Sequence, residues 1–138
     1  MNKFSIGDDD RMYYAKLLNL NGKKNDFYSL NIRHPEASDY IKSFYNSRHA
    51  ICMRYHSICL ALATDTPFVA IDYTNGGKSK NLLSDLGLLD LYIDVKNVSV
   101  EKISERLKRS EEIFNSQRDL IHNYLNKSQS IYSELFNL

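Results

Sequence analysis

Tryptophan is absent, cysteine and proline occur only twice each, and neither sign of charge dominates the chain. Two thiols, Cys52 and Cys59, make no disulfide framework in 138 residues. Each is flanked by apolar residues, so both read as reduced, buried thiols behaving as small hydrophobes. Neither has metal-ligand spacing, and His34, His49, His56 and His122 form no H-x-x-H cluster, so no metal site is expected. Lysine plus arginine number 18 against 17 acids, which leaves no global field to recruit nucleic acid or an anionic membrane. No apolar run approaches the roughly 20 residues that a membrane span needs. The opening MNKFSIGDDD has no long apolar region or small-residue cleavage site, so a signal peptide is not expected and a cytoplasmic chain is. Repeats, low-complexity tracts and Pro/Ser-rich linkers are missing too, which predicts one domain over residues 1–138.

What is present is a globular composition, 43% hydrophobic and 25% charged. Ala50 to Met53 and Phe68 to Ile71, the latter entered through Pro67, read as buried parallel strands. Ser57 to Ala63 between them is apolar nearly all round, which suits a buried crossover helix. Similar units flank this one. Asp10 to Leu20 reads as a helix ended by Asn21-Gly22-Lys23, and Phe27 to Ile32 as a strand. Pro35 to Tyr45 reads as a helix with Ile41, Phe44 and Tyr45 on one side. A short helix is predicted over Lys80 to Leu86, stopped at Gly87, then a strand over Leu91 to Ile93. From Ser99 the pattern is a long helical tail, with Ile103, Leu107, Ile113, Leu120 and Ile121 among its irregularly spaced apolar residues.

Alternating strands and helices predict an α/β fold, a Rossmann-like open parallel sheet with helices on both faces. Its sheet and crossover helices occupy about 1–98 and the tail 99–138. Only Lys3 to Ile6 precedes the acidic turn, so the first strand reads as cut short.

Open parallel sheets bind ligands at the carboxyl ends of their strands. After Met53 come Arg54, Tyr55, His56 and Ser57, a fixed cation, an imidazole and a hydroxyl at a helix start, which together favour an anion. After Ile71 come Asp72, Tyr73, Thr74, Asn75, Gly76, Gly77 and Lys78. The two glycines allow close backbone approach, and the lysine offers a positive charge. Asp8, Asp9 and Asp10 could accept hydrogen bonds from acceptor hydroxyls. Each feature also has a structural reading: His56 as a packing or capping residue, Arg54 as half of an ion pair, Gly76-Gly77 as an ordinary loop, Asp8 to Asp10 as a helix cap.

The order Met53-Arg54-Tyr55-His56, an apolar crossover helix, Thr66-Pro67-Phe68-Val69-Ala70-Ile71-Asp72-Tyr73 and then a lysine resembles the polysaccharide pyruvyl transferase family. A short helix running into Asp85-Leu86-Gly87-Leu88 extends it. The resemblance spans about residues 5–135 and is most specific over 50–94. It implies the carboxyl-terminal half of a two-domain transferase of GT-B type, with two Rossmann-like domains facing across a cleft. The implied reaction moves a phosphoenolpyruvate-derived group onto two sugar hydroxyls, giving a pyruvate ketal and phosphate, in cell-surface glycan synthesis. Phosphoenolpyruvate is then a co-substrate, and no cofactor is expected.

On that resemblance His56 is the catalytic acid that protonates the donor methylene. Arg54, Ser57, Gly76, Gly77 and Lys78 bind the donor, with Lys80 a competing choice because the loop before the lysine is long. Tyr55 stands where the family has leucine and is expected to point into the core. The alternatives are a nucleotide-sugar glycosyltransferase domain and a non-catalytic subunit. The expected partners are the small donor and a glycan or lipid-linked sugar, together with a separate amino-terminal domain or a second copy of the chain. An unmatched inter-domain face should expose apolar surface near the top of the sheet.

Overall fold

A computed structural model describes residues 37–74 and 77–136. The chain divides into Met1–Glu36 and Ala37–Leu138, and the described residues all belong to the second unit. The strands read at Lys3 to Ile6 and Phe27 to Ile32, the helix at Asp10 to Leu20 and the start of the helix at Pro35 lie outside the described residues.

The described chain runs α1 (Ala37–Tyr45), β1 (Ala50–Cys52), α2 (Tyr55–Ala63), β2 (Phe68–Asp72), α3 (Lys78–Asp85), β3 (Tyr92–Asp94), α4 (Val100–Ser116) and α5 (Arg118–Phe136). The strands form one parallel sheet in the order β1-β2-β3. This is the α/β architecture that the alternation of apolar runs predicts. β2 is central and buried at all five positions, as expected of a strand covered on both faces.

Register assigns the faces. Ala50, Cys52, Phe68, Ala70, Asp72, Tyr92 and Asp94 share one face, while Ile51, Val69, Ile71 and Ile93 share the other. The first face carries the main core, where Cys52, Phe68 and Ala70 meet Ile58, Ala61 and Leu62 of α2 and Leu82, Leu83 and Leu86 beside α3. On the second face Val69, Ile71 and Ile93 are buried, but Ile51 is 53% exposed. Of the two strands read as buried, therefore, β1 is covered on one face only within the described residues.

Two helix ends fix the turns. In α3 the amide of Leu88 donates to the Leu83 carbonyl and that of Gly87 to the Ser84 carbonyl, with Gly87 at φ +66°. This closure needs a left-handed residue just past the helix, which glycine adopts without a Cβ clash. α2 closes the same way, Thr66 donating to Ala61 and Asp65 to Leu62, but the left-handed residue is Asp65 at φ 55°. Aspartate is one of the few other residues that visit this region.

The structure sharpens three readings. Of Ile41, Phe44 and Tyr45, only Phe44 packs against the core; Ile41 is 46% and Tyr45 75% exposed. The strand read at Leu91 to Ile93 is shifted to Tyr92–Asp94, because Leu89–Leu91 coils into a 3-10 turn that buries Leu91. Residues after Ser99 are helical as read, and α4 packs against β2, its Phe114 meeting Phe68 edge to face at 6.1 Å between ring centroids. Ser99 caps α4 by accepting from the Lys102 amide, and the chain breaks at Gln117 before α5 adds Ile121 to the core.

Candidate functional site

The carboxyl ends of the three strands lie along one edge, and the loops that leave them carry the chemistry. β1 ends at Cys52, and Arg54 follows in an extended conformation as the residue that starts α2. Ser57 locks that turn. Its hydroxyl donates to the Arg54 carbonyl at 2.6 Å and accepts from the Arg54 amide at 3.2 Å. The Ser57 and Ile58 amides both donate to the Arg54 carbonyl, at 3.0 and 3.2 Å, so of the first turn only the Tyr55 and His56 amides have no helical carbonyl one turn back. His56 is exposed in this first turn, its ring edge to face with Tyr55 at 6.1 Å.

Arg54, His56 and Ser57 thus occupy the place read for them, with the Ser57 hydroxyl engaged in holding the turn. Tyr55 does not enter the core as expected. It is 37% exposed, because the first turn of α2 stands above the sheet and only Ile58, Ala61 and Leu62 reach the interior. Burial first, then the neighbouring Cys59, raises the Tyr55 phenol above its usual pKa. Of the two thiols, Cys52 is buried and pushed up to about 11 by that burial, whereas Cys59 is only partly buried.

The second loop leaves β2. Gly77 precedes α3 at φ +67° and Lys78 is the first helical residue, exposed to solvent. Lys80, the competing lysine, lies with Nζ 6.0 Å from the centre of the ring of Tyr92, the first residue of β3. β1 and β2 are hydrogen-bonded neighbours, so the Arg54–Ser57 turn and the Gly77–Lys78 turn leave the same edge side by side. Gly76 and the candidate acceptor carboxylates Asp8, Asp9 and Asp10 lie outside the described residues.

Asp72 stands inside the quoted motif without a role assigned to it, and Tyr92 and Asp94 carry no motif. Asp72 ends β2 and is paired in register with Asp94, which ends β3. The available signal is periodicity: a carboxylate two residues beyond Ala70 falls on the same buried face. Burial first, and then the charges of Asp72 and Asp94, raises the Tyr92 phenol above its usual pKa. The exposed apolar side chains Met53, Tyr55, Tyr73 and Val95 follow the three strands along this edge. A larger cavity of about 640 Å³ lies elsewhere, lined by Arg48, His49 and α4 residues such as Ile103 and Leu107. It contains none of the residues above and is a mostly apolar groove.

A family model described as polysaccharide pyruvyl transferase matches residues 3–75, more than half of the chain. The chain belongs to the polysaccharide pyruvyl transferase family. The match takes in Met53-Arg54-Tyr55-His56 and the Pro67-to-Tyr73 strand and stops short of Lys78, so the resemblance read out to residue 135 is carried by a shorter span. No curated protein and no solved structure matches the chain. Among the described residues, no helix is long and apolar enough to cross a membrane.

Proposed function

We propose that this chain supplies the donor-binding side of a polysaccharide pyruvyl transferase and takes phosphoenolpyruvate at the β1–α2 turn. The observation that carries this reading is the conformation of Arg54-Tyr55-His56 at the head of α2, on the ligand-binding edge of a parallel sheet. A donor with a carboxylate and a phosphate needs cations and backbone amides, and this turn carries the Arg54 guanidinium and the Tyr55 and His56 amides that open α2. Lys78, or Lys80 in its place, would add a second cation from the neighbouring loop.

His56 is the acid in this reading. A proton passes from its ring to the donor methylene, and the adjacent carbon becomes electron-poor. One sugar hydroxyl adds there, a second displaces phosphate, and the two hydroxyl protons leave on the regenerated imidazole and on phosphate. The apolar side chains Met53, Tyr55, Tyr73 and Val95 on the same edge suit a second wall that excludes water, from another domain or another copy. Binding without sustained turnover is the expected behaviour of the chain alone.

Titration calorimetry with phosphoenolpyruvate tests the proposal. Arg54→Ala should weaken binding by roughly 30-fold or more, the scale of a lost charge-assisted contact. His56→Gln should retain most of the binding. Equal affinity of wild type and Arg54→Ala, or protection from thermal unfolding by a UDP-sugar and not by phosphoenolpyruvate, would overturn it.

A further inference from the structure

Asp72 holds more charge than its structural task requires. It is 5% exposed at the last position of β2. One carboxylate oxygen, Oδ1, accepts both the Thr74 amide at 2.8 Å and the Thr74 hydroxyl at 2.7 Å, which shapes the turn out of the strand. The other, Oδ2, is buried and has no hydrogen-bond partner among the described residues. A serine in this place would make a similar turn with a single oxygen. Asp94, its register partner, shows the contrast: it is half-buried, and its Oδ1 accepts the Lys96 amide to cap a 3-10 turn. A buried, unpaired carboxylate oxygen destabilises the fold that contains it, so it calls for an incoming donor.

The chemistry of that donor is narrow. An anion such as phosphoenolpyruvate is repelled by two carboxylates at adjacent strand ends. Among the described residues no group of three His, Cys, Asp or Glu side chains is placed to hold a metal ion. Lys80, above the Tyr92 ring, already brings positive charge to β3. A neutral hydroxyl fits: it donates one hydrogen bond and carries no charge of its own.

We propose that Asp72 Oδ2 accepts a hydrogen bond from a hydroxyl of the acceptor sugar, making the β2–β3 end of the edge an acceptor site beside the donor turn of β1. The assignment rests on the pyruvyl transferase reading and deepens it. The edge is divided by charge: the cation and helix amides at β1, together with Lys78 of the next loop, meet the anionic donor, and the buried carboxylate that ends β2 meets the polyol.

The experiment compares the full chain with Asp72→Ser and Asp72→Asn in three measurements. These are thermal unfolding without ligand, calorimetry with phosphoenolpyruvate, and saturation-transfer NMR with methyl galactoside, mannoside and glucoside. The expected result for Asp72→Ser is an unfolding midpoint equal to or up to about 5 °C above wild type, since an unsatisfied buried oxygen is gone. Donor affinity should stay within about twofold, and glycoside binding should fall at least about tenfold in both variants. A clearly lower midpoint in Asp72→Ser would show that Oδ2 supports the fold, and unchanged glycoside binding, or none in wild type, would also overturn the assignment. Loss of donor affinity would move Asp72 to the donor side and overturn it as well. If wild type fails to bind phosphoenolpyruvate, the donor reading falls, while the glycoside and unfolding arms still judge Asp72.

Discussion

Replacing Phe114 by alanine should cost this protein more than any change at its candidate site. Phe114 lies on α4, about 40 residues beyond the family match, yet it is 0% exposed and meets Phe68, also 0% exposed, in an edge-to-face pair. Truncation of a buried phenylalanine removes its transfer free energy and leaves a cavity, together about 3–5 kcal/mol. The lost ring pair is contained in that figure. For a domain of this size each kcal/mol lowers the midpoint by about 3–5 °C, so the expected fall is about 10–20 °C. Leu120→Ala on α5, at a side chain 44% exposed, is the control and should change stability by less than about 1 kcal/mol. Circular dichroism melts and urea titrations of both variants provide the comparison, with an unchanged urea slope marking a pure stability effect. A Phe114→Ala midpoint within about 3 °C of wild type would refute the placement of α4 in the core. Equal losses in Phe114→Ala and Leu120→Ala would refute it too.

The two left-handed glycines separate strain from crowding. A Cβ on Gly87 would approach Gln117 Oε1 to 3.0 Å, whereas one on Gly77 would come no nearer than 3.9 Å to Asn81. Each alanine meets a left-handed penalty of about 1–2 kcal/mol, and Gly87→Ala should be the more destabilising in urea titrations because Gln117 must also move. The buried Cys52 thiol makes stability depend on alkaline pH. Its pKa is 9.0 in its ordinary state and about 11 here, so the folded chain holds its proton longer than the unfolded one. The contribution is constant below pH 9 and declines by up to about 3 kcal/mol as pH rises toward 11; Cys52→Ala should flatten that decline in pH-dependent melts. Iodoacetamide at pH 8 should label native Cys52 far more slowly than the same thiol in urea, as read by mass spectrometry.

The sheet was legible because β2 is a short, uninterrupted apolar run entered through Pro67, and the crossover helix because Ser57 to Ala63 has no polar face to show solvent. The Arg54–Ser57 turn was legible as a turn because it follows a strand and opens a helix. β3 was misplaced by one residue because Tyr92 and Asp94 are polar-edged while the apolar Leu91 belongs to a 3-10 turn. The packing of α4 was hidden for a related reason. Its deepest residues include Ser110, which is 0% exposed and bonded to His49 at 3.2 Å, so hydropathy alone does not mark its inward face. Asp72 was named in the motif but given no role, because what singles it out is a second oxygen without a partner among the described residues, a fact of geometry that no local pattern encodes.

The amino edge of the sheet differs in kind from the edge that carries the site. There the Thr66 hydroxyl donates to the Phe44 carbonyl and lies 2.8 Å from the Thr64 hydroxyl, while Asp65 draws in Arg118 and His122 of α5 at 3.7 and 3.2 Å. His49, just before β1, reaches Ser110 of α4 across the same end. Among the described residues, elements far apart in sequence are therefore fastened where the strands begin. A protein fastened at one end can exchange the loops at its other end one at a time, altering what it grips while the frame beneath stays in register. By that reasoning, loop replacements after Met53, Asp72 or Asp94 are the route to a changed ligand, and replacements before Ala50 or Phe68 are the route to an unfolded chain.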